Sequence, residues 1–198
     1  MRSLTEGRMG DMIRARSSDR RVARGHLDAL CACLPDRRPG SEGNREATAY
    51  AQAILEQSSW DVGVDEFDCL DWETNGASIV AGRSRVELTP SPYGLGTVAE
   101  GTVRVLRTVA DLSRTDLAGS IMILAGDLAA EPLTPKKYPF YGSDDHATII
   151  AALEQARPAA IVGVTGLYPE LCGALDPFPL IEDGDFTIPT ATVRPTDA

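Results

Sequence analysis

The chain is poor in the side chains from which metal centres are usually built. Its 198 residues include two histidines, His26 and His146, and no glutamate is followed directly by another glutamate. A protein-bound zinc ion needs three or four ligands that converge from different parts of the fold. The sequence therefore offers few groups from which a centre for two divalent ions could be assembled.

Cysteines are few, and their spacing fits neither a zinc knuckle nor a disulfide framework. One residue separates Cys31 from Cys33, whereas a zinc knuckle has two between its ligands, and Cys69 and Cys172 stand alone. No second close pair is present to complete a tetrahedral site. We expect all four to be buried free thiols in a reducing compartment.

Long apolar runs are also missing. No window approaches 18 consecutive apolar residues, and no apolar signal-peptide stretch follows the N-terminal arginines. The formal net charge of −10 argues against a nucleic-acid partner, which requires clustered Lys and Arg. We expect a cytoplasmic protein that binds neither membrane nor nucleic acid. Arginines do crowd the first 45 positions, where they form either a local basic patch or a solvated helix face: Arg14, Arg16, Arg20, Arg21, Arg24, Arg37, Arg38 and Arg45.

The first part of the chain is expected to be mainly helical. Residues 1–17 show no clear periodicity and are expected to be mobile, whereas apolar residues recur at helical spacing over 19–34 and again over 44–58. Ser41 or Asn44 is the expected N-cap of the second helix. The alternation of apolar and polar residues over 60–67 then predicts a half-buried strand.

From Gly76 onward the pattern changes to short strands separated by Gly, Pro and Ser. A strand over 121–125, a helix over 145–156 and a strand over 159–166 predict a right-handed βαβ crossover. Pro189 is expected to place the last strand at an edge or a bulge of the sheet. The whole pattern predicts a mixed α/β fold, with N-terminal helices before a β-rich part, and Trp60, Phe67 and Trp72 are expected to fill the core.

The tripeptide from Asp144 to His146 has two interpretations, a metal site and a helix start. Neighbouring side chains at the start of a helix point about 100° apart, so Asp145 and His146 do not readily grip one ion. Ser143 or Asp144 can instead cap the helix, and carboxylates in its first turn favour the positive end of the helix dipole. We therefore expect this stretch to be structural.

His26 and Asp28 have the His-x-Asp spacing found among zinc ligands of di-zinc peptidases. Residues two apart share a face of a strand, but in a helix they lie about 200° apart. The surrounding residues have a helical pattern, so we expect the two side chains to diverge. Gly-x-Ser-x-Gly and the phosphate-binding loop are both absent from the sequence. The acidic loop that contains Glu182, Asp183 and Asp185 either attracts a peptide ammonium group or is a solvated turn.

Ordered segments of the chain resemble a known enzyme family. Residues 37–72 ("RRPGSEGN…", a helix, then a strand with an aromatic end) resemble the N-terminal segment of the bacterial di-zinc aminopeptidases, metallopeptidase family twenty-eight. Residues from "LAGSIMILAGDL" through "YPFYGSDDHATIIAALEQARPAAIVGVTG" to "GALDPFPLIEDGDFTIPTATV" resemble the protease-associated domain that is often inserted into those enzymes. The resemblance implies an aminopeptidase-like segment over 1–75 and a protease-associated-like domain over 76–198.

The resemblance also implies what this chain does not carry. In that family two zinc ions activate water for hydrolysis of a peptide N-terminus, and every metal ligand follows the protease-associated insert. No catalytic, cofactor-binding or metal-binding residue of the family can therefore be transferred to a position of this sequence, and no cofactor is expected in the chain. We expect the N-terminal portion of an aminopeptidase-like protein, inactive alone. The alternative is a stand-alone module that binds a peptide or a protein.

Three kinds of partner follow from that interpretation: a peptide, a catalytic domain outside this sequence, and a second copy of the chain. Self-association is expected because helix 44–58 and strand 60–67 would pack on the catalytic sheet of a full enzyme. Without that sheet they would expose an apolar patch of Tyr50, Ile54, Leu55 and Trp60.

Overall fold

The computed structural model describes residues 18–34, 36–136, 142–165, 170, 172, 177–179 and 186–197. The chain divides into two compact units, Met1–Asp71 (unit 1) and Trp72–Ala198 (unit 2). The sequence-based boundary lies four residues further on. The expectations for residues 1–17 and for Glu182, Asp183 and Asp185 concern positions outside the described residues.

Unit 1 contains two helices joined by a turn. Helix α1 covers residues 18–27 and continues as a π-helical turn, Asp28–Ala32, and α2 is Glu42–Gln57. The hydroxyl of Ser41 accepts the backbone N–H of Asn44 at 3.1 Å, which confirms Ser41 as the N-cap. His26 Nδ1 and the Tyr50 hydroxyl, 2.7 Å apart, connect the two helices.

Residues 60–67 do not form the predicted strand. Their backbone pairs with no strand in the described part of the chain, and Trp60 and Phe67 are 68% and 83% exposed. The alternating pattern identifies which side chains would share a face, but a strand forms only where another strand supplies its hydrogen bonds. The prediction that Trp60 and Phe67 fill a core is wrong for the same reason, because this segment has no sheet to cover.

Unit 2 is built around a mixed sheet. Its described strands are ordered β1-β2-β6-β5-β4-β3 across the sheet. The β1–β2 and β2–β6 pairs are antiparallel and the remaining pairs are parallel. The strands are β1 (Ala77–Ala81), β2 (Ser84–Pro90), β3 (Val103–Leu106), β4 (Ile121–Leu124), β5 (Ala160–Val164) and β6 (Thr190–Val193).

Helix α3, Asp144–Ala156, connects the parallel strands β4 and β5, which confirms the predicted strand–helix–strand order. Its side chains Ile150 and Leu153 are fully buried together with Met122, Leu124 and Ile161 of the sheet. The rings of Phe178 and Phe186 stack at 6.1 Å and belong to the same core. The α/β class and the order of helices before strands are thus as predicted.

The last strand, β6, is not at an edge of the sheet. It lies between β2 and β5, and Pro189 precedes it. A proline has no N–H to donate, but its carbonyl can accept, and Ile161 N–H donates to Pro189 O at 2.9 Å. A proline just before a strand is therefore compatible with an interior position.

Candidate functional site

Hydrogen bonds of His146 connect the loop that contains Glu131 and Thr134 to the start of α3. Its Nδ1 accepts the backbone N–H of Thr134 at 3.1 Å, and its Nε2 lies 3.2 Å from Glu131 Oε1. Because Nδ1 accepts from a backbone amide, the proton of the neutral ring belongs on Nε2, which can then donate to Glu131. Ser143 caps the helix by accepting His146 N–H, as predicted. The sequence shows no signal for Glu131 and Thr134, which are 15 and 12 residues from His146.

His26 and Asp28 contact different partners. His26 contacts Tyr50 of α2, edge to face, with ring centroids 5.9 Å apart. Asp28 pairs with Arg24 one helical turn earlier, at 3.2 Å. Because their partners differ, the side chains of His26 and Asp28 diverge, as the helical interpretation predicts.

The structure brings together no group of three or more His, Cys, Asp or Glu that could hold a metal ion among the residues it describes. The cysteines are free, but the prediction that all are buried is wrong, since Cys31, Cys33 and Cys69 are exposed and Cys172 is half-buried. In unit 1, Ser41 is the one described residue that is buried, so its helices provide no interior for a thiol.

Residues 60–71, which we name the acidic segment, combine apolar and acidic side chains on the surface. Its largest apolar residues are exposed by half or more: Trp60, Val64, Phe67 and Leu70. Its acidic residues are Asp61, Asp65, Glu66, Asp68 and Asp71, and it has no Lys or Arg. Leu55 and Trp60 of the predicted apolar patch are exposed, whereas Tyr50 and Ile54 are half-buried.

Two carboxylates of unit 2 stabilise connections rather than forming a reactive pair. Backbone N–H groups of Arg107 and Thr108, at 2.8 and 2.9 Å, hold the pKa of Asp111 below its ordinary value. A hydrogen bond from Arg114 is the main cause that lowers the pKa of Asp116, which also lies 2.6 Å from Arg104 Nε. Donors favour the ionised form of a carboxyl group, so both are held as anions, which does not suit a general acid.

A cleft of about 660 Å³ opens on unit 2. Its apolar lining includes Ile79, Leu88, Pro90, Ile121, Val162 and Ala191. Neutral polar side chains also line it, among them Thr74, Asn75, Ser78 and Thr97. A volume of this size and a mixed lining are usual for sites that bind a small molecule or a few residues of a peptide.

One aromatic side chain lines this cleft. Trp72 lines it and packs against Tyr93 with ring centroids 6.3 Å apart and planes tilted by 56°. Tyr93 is buried and has a φ of 57°, the left-handed region that non-glycine residues rarely adopt. It occupies a tight turn in which Gly94 N–H donates to Ser91 O at 3.1 Å. The backbone cost of this conformation is of order 1–3 kcal/mol, which the packing of the Tyr93 ring offsets.

No protein-family model, curated protein or solved structure matches the chain. The part of the chain that the structure describes includes no helix long and apolar enough to cross a membrane.

Proposed function

We propose that the chain is the N-terminal, protease-associated-like portion of a zinc aminopeptidase-like protein, and that it holds a peptide without hydrolysing it. The observation that carries the peptide-holding role is the cleft of unit 2 that Trp72 lines. The order of motifs over residues 19–193 supports the link to the aminopeptidase family.

The chemistry of the cleft favours a peptide segment with apolar side chains. Its apolar lining can bury one or two such side chains, and its hydroxyl and amide groups can hydrogen-bond to peptide N–H and C=O groups. Three charged side chains line the cleft, Glu73, Arg85 and Glu87, and the last two pair with each other at 2.6 Å. A charged end group on the ligand therefore gains no net counter-charge from this pair.

Fluorescence of Trp72 tests peptide binding directly. The chain has two tryptophans, so the Trp60→Phe variant leaves Trp72 as the only indole. Titration of this variant with short neutral apolar peptides is expected to shift its emission with a Kd of about 10 µM to 1 mM. The Leu88→Asp variant, which places a charge in the apolar lining, is the matched binding-deficient protein. An emission spectrum that stays unchanged up to millimolar peptide would refute the peptide-holding role.

An assay of aminoacyl chromogenic substrates with added zinc tests the second half of the proposal. The expected rate equals that of a blank without protein, because the family's metal ligands have no counterparts in this sequence. Turnover that a chelator abolishes would show that the chain is itself a catalyst.

A further inference from the structure

The acidic segment of unit 1 has the composition of an interaction surface. Trp60, Val64, Phe67 and Leu70 are 68%, 50%, 83% and 57% exposed. Four carboxylates lie between them: Asp61, Asp65, Glu66 and Asp68. None of the four forms an ion pair with another residue that the structure describes. Exposed apolar area interleaved with one sign of charge selects a partner that has apolar side chains and the opposite charge.

The same unit carries a surface of that opposite kind on α1. Arg20, Arg24 and Leu27 have the i, i+4, i+7 spacing that places residues on one face of a helix, and Leu27 is 59% exposed. His26, which contacts Tyr50 of α2, lies on the other side of the helix. Arg24 pairs with Asp28 at 3.2 Å, but both side chains are largely exposed, so this pair contributes little and can exchange for another carboxylate.

We propose that unit 1 forms a two-fold dimer in which the α1 face of one copy packs against the acidic segment of a second copy. A two-fold interface uses the same pair of surfaces twice, so each copy provides both the basic and the acidic half. Leu27 and the exposed side chains Trp60, Val64 and Phe67 lose water in the contact, while Arg20 and Arg24 lie opposite carboxylates. The charges set the pairing and the apolar side chains supply the main driving force.

Charge reversal in the full chain, followed by sedimentation velocity at low salt, tests this interface. Wild type is expected to dimerise with a Kd of about 1–100 µM. The Asp65→Arg/Asp68→Arg variant and the Arg20→Glu/Arg24→Glu variant are each expected to weaken dimerisation at least about tenfold, because like charges then face each other. The variant that combines all four changes is expected to dimerise within about threefold of wild type, because the opposite signs meet again.

A matched control separates the proposed contact from the effect of net charge. Glu100→Arg/Asp197→Arg makes the same change of charge as Asp65→Arg/Asp68→Arg, at two exposed positions of unit 2. This control is expected to dimerise like wild type. The proposal is overturned if wild type is monomeric at about 1 mM, if the control weakens the dimer as much as the acidic-segment variant, or if the fourfold variant stays as weak as the two double variants. A monomeric wild type would indicate that a different chain, such as a catalytic domain, covers the segment.

The native cysteines allow the proposed pairing of α1 with the acidic segment to be tested without any substitution. Cys31 lies in the π-helical turn that continues α1, Cys33 follows that turn and Cys69 belongs to the acidic segment; all three are exposed. A short bifunctional thiol reagent is expected to give covalent dimers in which Cys69 of one copy is joined to Cys31 or Cys33 of the other, identified by peptide mass spectrometry. Dimers joined only through Cys69 to Cys69 would contradict the proposed pairing.

Discussion

Helices α2 and α3 begin in the same way and have different surroundings. Each has a serine N-cap whose hydroxyl accepts a backbone N–H three residues on, Asn44 for Ser41 and His146 for Ser143. Helix α3 buries Ile149, Ile150 and Leu153 against the sheet of unit 2, whereas α2 buries none of its residues. Local signals therefore place a helix equally well in both units, but they do not show whether that helix has a core to pack on.

The consequence of this difference is energetic. Packing of an apolar face supplies most helix stability in proteins. Unit 2 has such packing around Met122, Leu124 and Ile161, all of which are fully buried. Unit 1 has exposed apolar side chains instead, so we expect it to contribute little to cooperative unfolding of the chain.

The largest expected effect comes from truncating one leucine in each unit. Leu153 is completely buried, so Leu153→Ala should lower the free energy of unfolding by about 2–5 kcal/mol. Leu55 is 43% exposed. Leu55→Ala should change the free energy of unfolding by no more than about 0.5 kcal/mol. Urea denaturation of both variants measures the difference, and equal losses would show that unit 1 has a core of its own.

The next largest effect on stability is expected from replacing a glycine by alanine in each unit. A Cβ at Gly163 would lie 3.0 Å from Pro177 Cγ and 3.2 Å from the Phe178 ring. Gly163→Ala should therefore destabilise unit 2 by about 1–3 kcal/mol through overpacking. A Cβ added at Gly63 would meet no neighbouring heavy atom within 4 Å, so Gly63→Ala should be neutral or should stabilise the protein by less than about 1 kcal/mol. Thermal melts of the two variants provide the comparison, which fails if Gly163→Ala is tolerated as well as Gly63→Ala.

Removal of the two helix caps gives a smaller effect. Ser143→Ala should lower the free energy of global unfolding by about 1 kcal/mol, because α3 is part of the cooperative core. Ser41→Ala should leave the global midpoint in place and instead speed amide hydrogen exchange in the first turn of α2. A shift of the midpoint by Ser41→Ala as large as that by Ser143→Ala would show that the two helices unfold together.

The smallest expected effect depends on pH. The pKa of Asp111 is held below its ordinary value of 3.8, first by the backbone N–H of Arg107 and then by that of Thr108. A lowered folded-state pKa gives stability that is present above the unfolded-state pKa and is lost as the pH falls through the folded-state value. Asp111→Asn should therefore lower the melting temperature at neutral pH, and the difference from wild type should shrink as the pH falls below 3.8.

Asp36 is the matched carboxylate in unit 1. Its pKa is lowered mainly by a hydrogen bond from the Arg38 side chain. Because α1 and α2 lack a core, Asp36→Asn should leave the cooperative melting temperature unchanged at every pH. Melting curves of wild type and of both variants between acid and neutral pH would contradict this if Asp36→Asn gave the larger shift.

Sequence patterns were most informative where one residue acts on its immediate neighbours. Serine caps and runs of helical or alternating spacing correctly located α2, α3 and the strands that precede and follow α3. Interpretation failed for residues 60–67 and for Pro189, where the outcome depends on which strand lies alongside. It also failed for the burial of Cys31, Cys33 and Cys69, because an apolar pattern does not indicate whether another element covers it.

The candidate site residues also divide into those that the sequence predicted and those that only the tertiary structure shows. The helical spacing of His26 and Asp28 predicted that they diverge, and the structure agrees. The contacts of His146 with Glu131 and Thr134 and the cleft between distant parts of unit 2 had no sequence signal. These features depend on loop paths that bring residues 12 or more positions apart into contact.

Composition and spacing alone determined the mixed α/β class, the regions in which helices α2 and α3 begin and the shortage of groups that could hold metal ions, because each depends on residue type and short-range geometry. Only the tertiary structure decided that β6 is an interior strand, that the acidic segment is exposed and that a cleft lies beside Trp72. The physical reason is that burial and strand pairing are properties of two surfaces in contact, and a local pattern describes only one of them.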